Sequence, residues 1–138
     1  MTAALVRQAL ETPLKTWADA QVPAVAVSWQ NVEFTQPAAR YLRSFVLPLP
    51  TLSDDLGRAH RRYEGVYQVS IVEPLGKGPG EAEAIVALLA ALYPPATDLV
   101  LGSFRVHVLQ PLSPAPALQE RDRFVIPCSL TYRADTYP

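Results

Sequence analysis

Residues 63–94, YEGVYQVSIVEPLGKGPGEAEAIVALLAALYP, hold the reading that decides the fold. In GVYQVSIVEP the side chains alternate, with Tyr67, Val69 and Ile71 on one face and Gln68 and Ser70 on the other. That pattern suits a sheet with one packed and one open face, not the doubly buried parallel sheets of nucleotide folds. Further on, Ala82, Ile85, Val86, Leu89, Leu92 and Tyr93 form one helical stripe, stopped by Pro94-Pro95. The helix is therefore expected to lie across the packed face. Between the two elements, GKGPGE has the strand, turn and helix-start order of a phosphate cradle. The detailed spacing rejects that use. A P-loop requires GxxxxGK followed by Ser or Thr, whereas Lys77 directly follows Gly76 and precedes Gly78; a GxGxxG read from Gly76 meets Glu81 at its third glycine. Glu81 and Glu83 suit the helix dipole and repel an anion.

Outward from this stretch, the remaining elements follow from periodicity. ALVRQALETPLKTWADAQ carries a stripe of Leu5, Ala9, Leu10, Leu14, Trp17 and Ala18, interrupted at Thr12-Pro13 by a new cap or a kink. PAVAVSWQNVEF reads as a short strand through Val25 and Val27 that ends near Trp29 and Asn31. RYLRSFVLPLP reads as a strand with Tyr41, Phe45, Leu47 and Leu49 on one side, and Pro48 and Pro50 place its second half at a sheet edge. The polar stretch TLSDDLGRAHRRYEG is expected to be a long loop. FRVHVLQ sets Phe104, Val106 and Val108 against Arg105 and His107; FVIPCSLTY sets Phe124, Ile126, Cys128, Leu130 and Tyr132 against Val125, Pro127, Ser129 and Thr131. The linker over residues 111–123 is expected to form a protruding or a mobile loop. The order α-β-β-β-α-β-β predicts an α+β fold: one domain over residues 1–138, with a largely antiparallel or mixed sheet of four to five strands against two main helices.

Bulk properties narrow the function. The 138 residues suffice for a core without metals or disulfides. Twelve basic and thirteen acidic residues leave a net charge of −1, without the basic excess of a nucleic-acid binder. The single cysteine, Cys128, sits among alternating apolar residues as a buried structural thiol, which suits a reducing compartment. No run reaches the length of a membrane span, and MTAALVRQALETP lacks the pattern of a signal peptide. Fourteen prolines punctuate the element ends.

No catalytic, cofactor or metal signature emerges. His60 and His107 are the only histidines, and neither stands at metal-ligand spacing. Asp54-Asp55 and the pair Glu81 and Glu83 do not face one another across a substrate site, and no GxSxG motif occurs. What stands out is GRAHRRY, residues 57–63, expected on a loop tip. There Arg58, His60, Arg61, Arg62 and Tyr63 are candidates for contact with an acidic partner surface or a neighbouring subunit, or else a solubilising tip.

The helical start, VSWQNVEFTQP, the strand YLRSFVLPLP and the run YEGVYQVSIVEPLGKGPGEAEAIVALLAALYP together resemble the tail terminator family of long-tailed bacteriophages and prophages. The resemblance spans nearly the whole chain. Its most specific pieces are W-x-N-x-x-F at Trp29, Asn31 and Phe34, and G-x-Y-Q-V with P-x-G-x-G at Gly65, Tyr67, Gln68, Val69, Pro74, Gly76 and Gly78.

The resemblance implies a structural protein, not an enzyme, with no cofactor and no specific nucleic-acid or membrane binding. It further implies a ring, a hexamer, on the end of the tail tube, formed in solution or else from monomers that join only on the tube end, with the tube protein and a head-completion or connector protein as partners. Such a protein assembles in the host cytoplasm and ends in the virion tail. The alternatives are another head–tail joining or minor tail protein, and a ferredoxin-like binding module taking RNA or a metabolite on its open sheet face.

Overall fold

The computed structural model describes residues 2–53, 60–76 and 78–136. Two helices, α1 (Thr2–Ala20) and α2 (Gly80–Leu92), accompany eight strands: β1 (Ala26–Ser28), β2 (Tyr41–Pro48), β3 (Arg61–Pro74), β4 (Asp98–Leu101), β5 (Phe104–Val108), β6 (Ser113–Pro114), β7 (Leu118–Glu120) and β8 (Arg123–Thr136). The main sheet order is β1-β2-β3-β8-β5-β4, and β6 and β7 pair with β8. Only β1 and β2 are parallel. The α+β class holds, but the sheet has eight strands where four to five were expected.

The sheet departs from the expected one in three places. DLVL and FRVHV form a hairpin around Gly102-Ser103, and Gly102 takes the positive φ of 63° that such a two-residue turn demands. The supposed protruding loop over 111–123 instead adds β6 and β7 to β8, using the backbone groups that β5 leaves unpaired beyond Tyr132. The third change lengthens a strand: β3 begins at Arg61, inside the expected polar loop, because Arg133–Thr136 of β8 continue as its partner. Backbone pairing overrides side-chain polarity there.

Helix packing fixes the sheet's inner face. Val6, Ala9, Leu10 and Leu14 from α1 and Ala82, Ile85 and Leu89 from α2 pack on Tyr67, Val69, Ile71, Ile126, Cys128, Leu130 and Tyr132. The two helices are tied at Tyr93, whose hydroxyl donates to the Leu10 carbonyl over 2.6 Å while its ring meets Tyr67 edge-on at 5.8 Å. Helix α1 runs on through Pro13, and Thr12 Oγ donates back to the Gln8 carbonyl instead of capping a new helix. Leu10 and Leu14, both wholly buried, anchor it on either side of the proline.

Strand β2 packs on the opposite parity from the one expected. Leu42 and Val46 join the core and Ser44 is buried beside them, whereas Leu47 and Leu49 are about half exposed. The register against β3 decides this, because Val46 pairs with Tyr67 and Leu42 with Ile71, the inward row of β3. Tyr41 lies on the other face, under Phe34 and beside Val72 and Val125.

Candidate functional site

With both helices on one face, the other face of the sheet carries the residues available for contact. Cross-strand rows on it run Arg43–Ser70–Pro127, Phe45–Gln68–Ser129 and Leu47–Val66–Thr131. A shallow concavity of about 340 Å³ lies over the first two rows, closed at one end by the Arg43–Glu120 ion pair at 3.2 Å. Past the Leu47 row the face becomes charged. Glu64, Arg133, His107 and Asp98 stand side by side across four strands, followed by Arg62 beside Asp135.

The candidate residues from the sequence divide at this charged end. Arg58 lies outside the described residues. His60 is buried, with Nε2 2.7 Å from Asp135 Oδ1, so its ring faces the sheet and not a neighbour. Arg61 is exposed and donates to the His60 carbonyl at 3.1 Å and to Ser53 Oγ at 3.4 Å. Arg62 Nε lies 3.2 Å from Glu64 Oε1, and Tyr63 packs against the core. Arg61, Arg62 and Tyr63 therefore begin a strand and His60 directly precedes it, in place of the expected loop tip.

Sequence reading missed Arg133 and Asp135, which complete this cluster. Arg133 Nε donates to Asp135 Oδ2 over 3.0 Å. Burial raises the Asp135 carboxyl, but hydrogen bonds from Arg133 and His60 outweigh that and leave it below its ordinary value. The available signal was parity: Arg133 and Asp135 continue the row of Ser129 and Thr131 beyond Tyr132, where the strand had been expected to stop.

The remaining chemistry is structural. Cys128 is wholly buried, and burial pushes its thiol up to about 11, so it stays protonated at neutral pH. Among the described residues no three His, Cys, Asp or Glu side chains group as a metal site. At the start of α2, Glu81 pairs with Arg40 at 2.9 Å, and Arg40 also bonds the buried Glu73. No helix among the described residues is long and apolar enough to cross a membrane.

The two sequence motifs prove to be backbone devices. Trp29 packs on the core, Asn31 turns the chain at φ 59°, and Phe34 covers Tyr41 with ring centroids 5.1 Å apart. Arg123 fastens the segment after it by donating to the carbonyls of Pro37, Ala38 and Ala39. Gly65 is required because a Cβ there would stand 2.6 Å from both the Leu47 carbonyl and the Tyr132 hydroxyl. Gly76 and Gly78 both take positive φ in the turn before α2.

A family model described as phage tail terminator protein matches residues 5–132. The chain belongs to the phage tail terminator protein family. This family is a structural one, so membership assigns the terminator chain a structural part in the phage tail. A solved structure whose protein bears only a serial identifier is 40% identical, with a TM-score of 0.85 over the whole of this chain and 99% of that one. No curated protein matches the terminator chain.

Proposed function

We propose that this terminator chain closes into a ring on the finished end of the tail tube, stops tube polymerisation and offers the surface to which the head is joined. The supporting observation is the uncovered sheet face of a family member whose helices are confined to the other face. That face has an Arg43–Glu120 ion pair at one end, uncharged rows from Phe45 to Thr131 in the middle and a cluster of charged residues at the other end. Assembly takes place in the host cytoplasm, with the tube protein and a head-completion protein as partners. The mechanism is steric: one side of the ring copies enough of the tube subunit's contacts to bind, and the other lacks what the next tube ring needs. A ring of identical copies requires a heterologous contact that closes.

Sedimentation velocity over a wide concentration range tests the ring. A discrete species near six times 15.1 kDa is expected; a continuous ladder of open oligomers would count against closure. Arg58, Arg61 and Arg62 supply charged contacts to a neighbour or to the tube in this reading. Replacing all three with alanine should weaken capping, seen as overlong tubes by electron microscopy, and cost no more than about 1 kcal/mol in stability. A folded triple variant that caps normally would remove these arginines from the mechanism.

A further inference from the structure

Two apolar features lie on opposite faces of the sheet. The first is a column of leucines along β2 and its extension. Leu47 stands opposite Val66, the Leu49 N–H donates to the Glu64 carbonyl over 2.8 Å, and Leu52 exchanges two backbone bonds with Arg62, at 3.0 and 2.7 Å. Pro50 and Thr51 therefore stand against Tyr63 alone, a one-residue bulge. A regular strand would have turned Leu52 to the helix side; the bulge returns it to the side of Leu47 and Leu49. The three leucines project from the uncovered face and are 44%, 55% and 42% exposed. Pro48 and Pro50 stiffen the segment, and the bonds to β3 hold it in place.

The second feature is the outer side of α2. Residues 84–97 include no charged side chain, and Ala84, Ala87, Leu88 and Ala91 are exposed. A helix that is apolar all round is one with both sides covered, and here the sheet covers only one. Alongside, a groove of about 420 Å³ is lined by Val86, Phe124 and Ile126 and by Pro114, Ala115 and Ala117. Small side chains on the helix and at 115 and 117 make this surface one of hollows, not of ridges.

We infer that the leucine column of one copy seats in the α2 groove of the next. This rests on the ring reading above and names the two surfaces of its joint. No chain can fill its own groove with its own column, because the sheet lies between them. The contact therefore joins unlike surfaces of two copies, which is the heterologous arrangement a closed ring requires. A second copy is the occupant because it carries the matching relief: projecting leucines for a hollow walled by alanine. The flanking charges agree. Arg61 and Arg62 adjoin Leu52, Arg62 already holding Glu64, whereas the one charged residue lining the groove is Glu83. The column is also fixed before it docks, so little freedom is lost on binding.

The test joins sedimentation velocity to cysteine cross-linking. Leu49→Ser should raise the concentration for half-assembly at least about tenfold over wild type, with circular dichroism unchanged. Under mild oxidation, a mixture of Leu49→Cys and Ala117→Cys chains should form a disulfide-linked pair that neither variant forms alone. Equal assembly by folded Leu49→Ser chain, or an assembled mixture that does not cross-link, overturns the groove contact and leaves the ring reading intact. Cross-linking of Leu49→Cys chain with itself also overturns it, since columns would then meet columns. A wild-type monomer at every concentration overturns both the contact and the self-association beneath it. If Leu49→Ser chain fails to fold, the cysteine pair decides.

Discussion

Alternate residues of β3 share one backbone and the same two partner strands, yet the two sides of that strand do opposite work. Tyr67, Val69 and Ile71 are wholly buried under the helices, whereas Glu64, Val66 and Gln68 remain partly exposed on the uncovered face. The inner row has to fit a close-packed neighbourhood in which even one methylene is felt. On the outer row Ser70 and Val72 are buried too, Val72 in the small cluster under Phe34, whereas Glu64, Val66 and Gln68 have only to avoid clashes within the sheet.

Substitutions along this one strand put the contrast at risk, and the largest effect is expected on the inner row. Tyr67→Ala should cost about 3–5 kcal/mol in urea unfolding, through lost burial and the cavity left beneath α2; a smaller loss would mean the inner face repacks easily. Gly65→Ala comes next at about 1–3 kcal/mol, since the new Cβ meets a fixed backbone carbonyl as well as the Tyr132 ring. Tyr67→Phe should cost about 1 kcal/mol, because Ser44 Oγ, 2.7 Å from the tyrosine hydroxyl, is buried with it.

Two substitutions examine the uncovered side. Asp135 has a folded-state value below its unfolded one, so its contribution is present at neutral pH and lost as pH falls through that lowered value. Wild type should therefore melt at higher temperature than Asp135→Asn at pH 7, with the gap closing in strong acid; a gap that persists there would assign the loss to packing. Gln68→Ala should change stability by no more than about 0.5 kcal/mol. A loss comparable to that of Gly65→Ala would show that the outer row carries the fold after all.

The same contrast explains what the sequence revealed. The α2 stripe and the alternations of β3 and β8 were legible because most of their large apolar residues fall on one helical face or one parity, with Leu88, Val66, Val72 and Val125 as exceptions. In β2, Tyr41, Leu42, Phe45, Val46 and Leu47 occupy both parities, so alternation alone cannot tell the inner row from the outer. Only pairing with β3 resolves it. Residues 61–64 and 133–136 hid for another reason: they are charged, and their strand character comes from pairing with each other. Prolines at 111, 114 and 116 suggested a loop, but Pro114 pairs with Cys128 in the short marginal strand β6, where a missing N–H is tolerated. Of the candidate site, the cluster around Arg61 was legible as charge, but its orientation was not, because His60 finds Asp135 75 residues away.

The long pairing of β3 with β8 also governs how the molecule comes into being. All fourteen residues of β3 pair with β8, which leaves the ribosome after every other described strand and helix. Until then β3 can join β2, but its other edge stays bare and the floor beneath both helices is incomplete. Such distant pairing makes folding slow and the waiting chain prone to wrong strand partners. In a cell filling with copies of the same chain, completion of β8 is thus the step that separates a folded chain from one that aggregates.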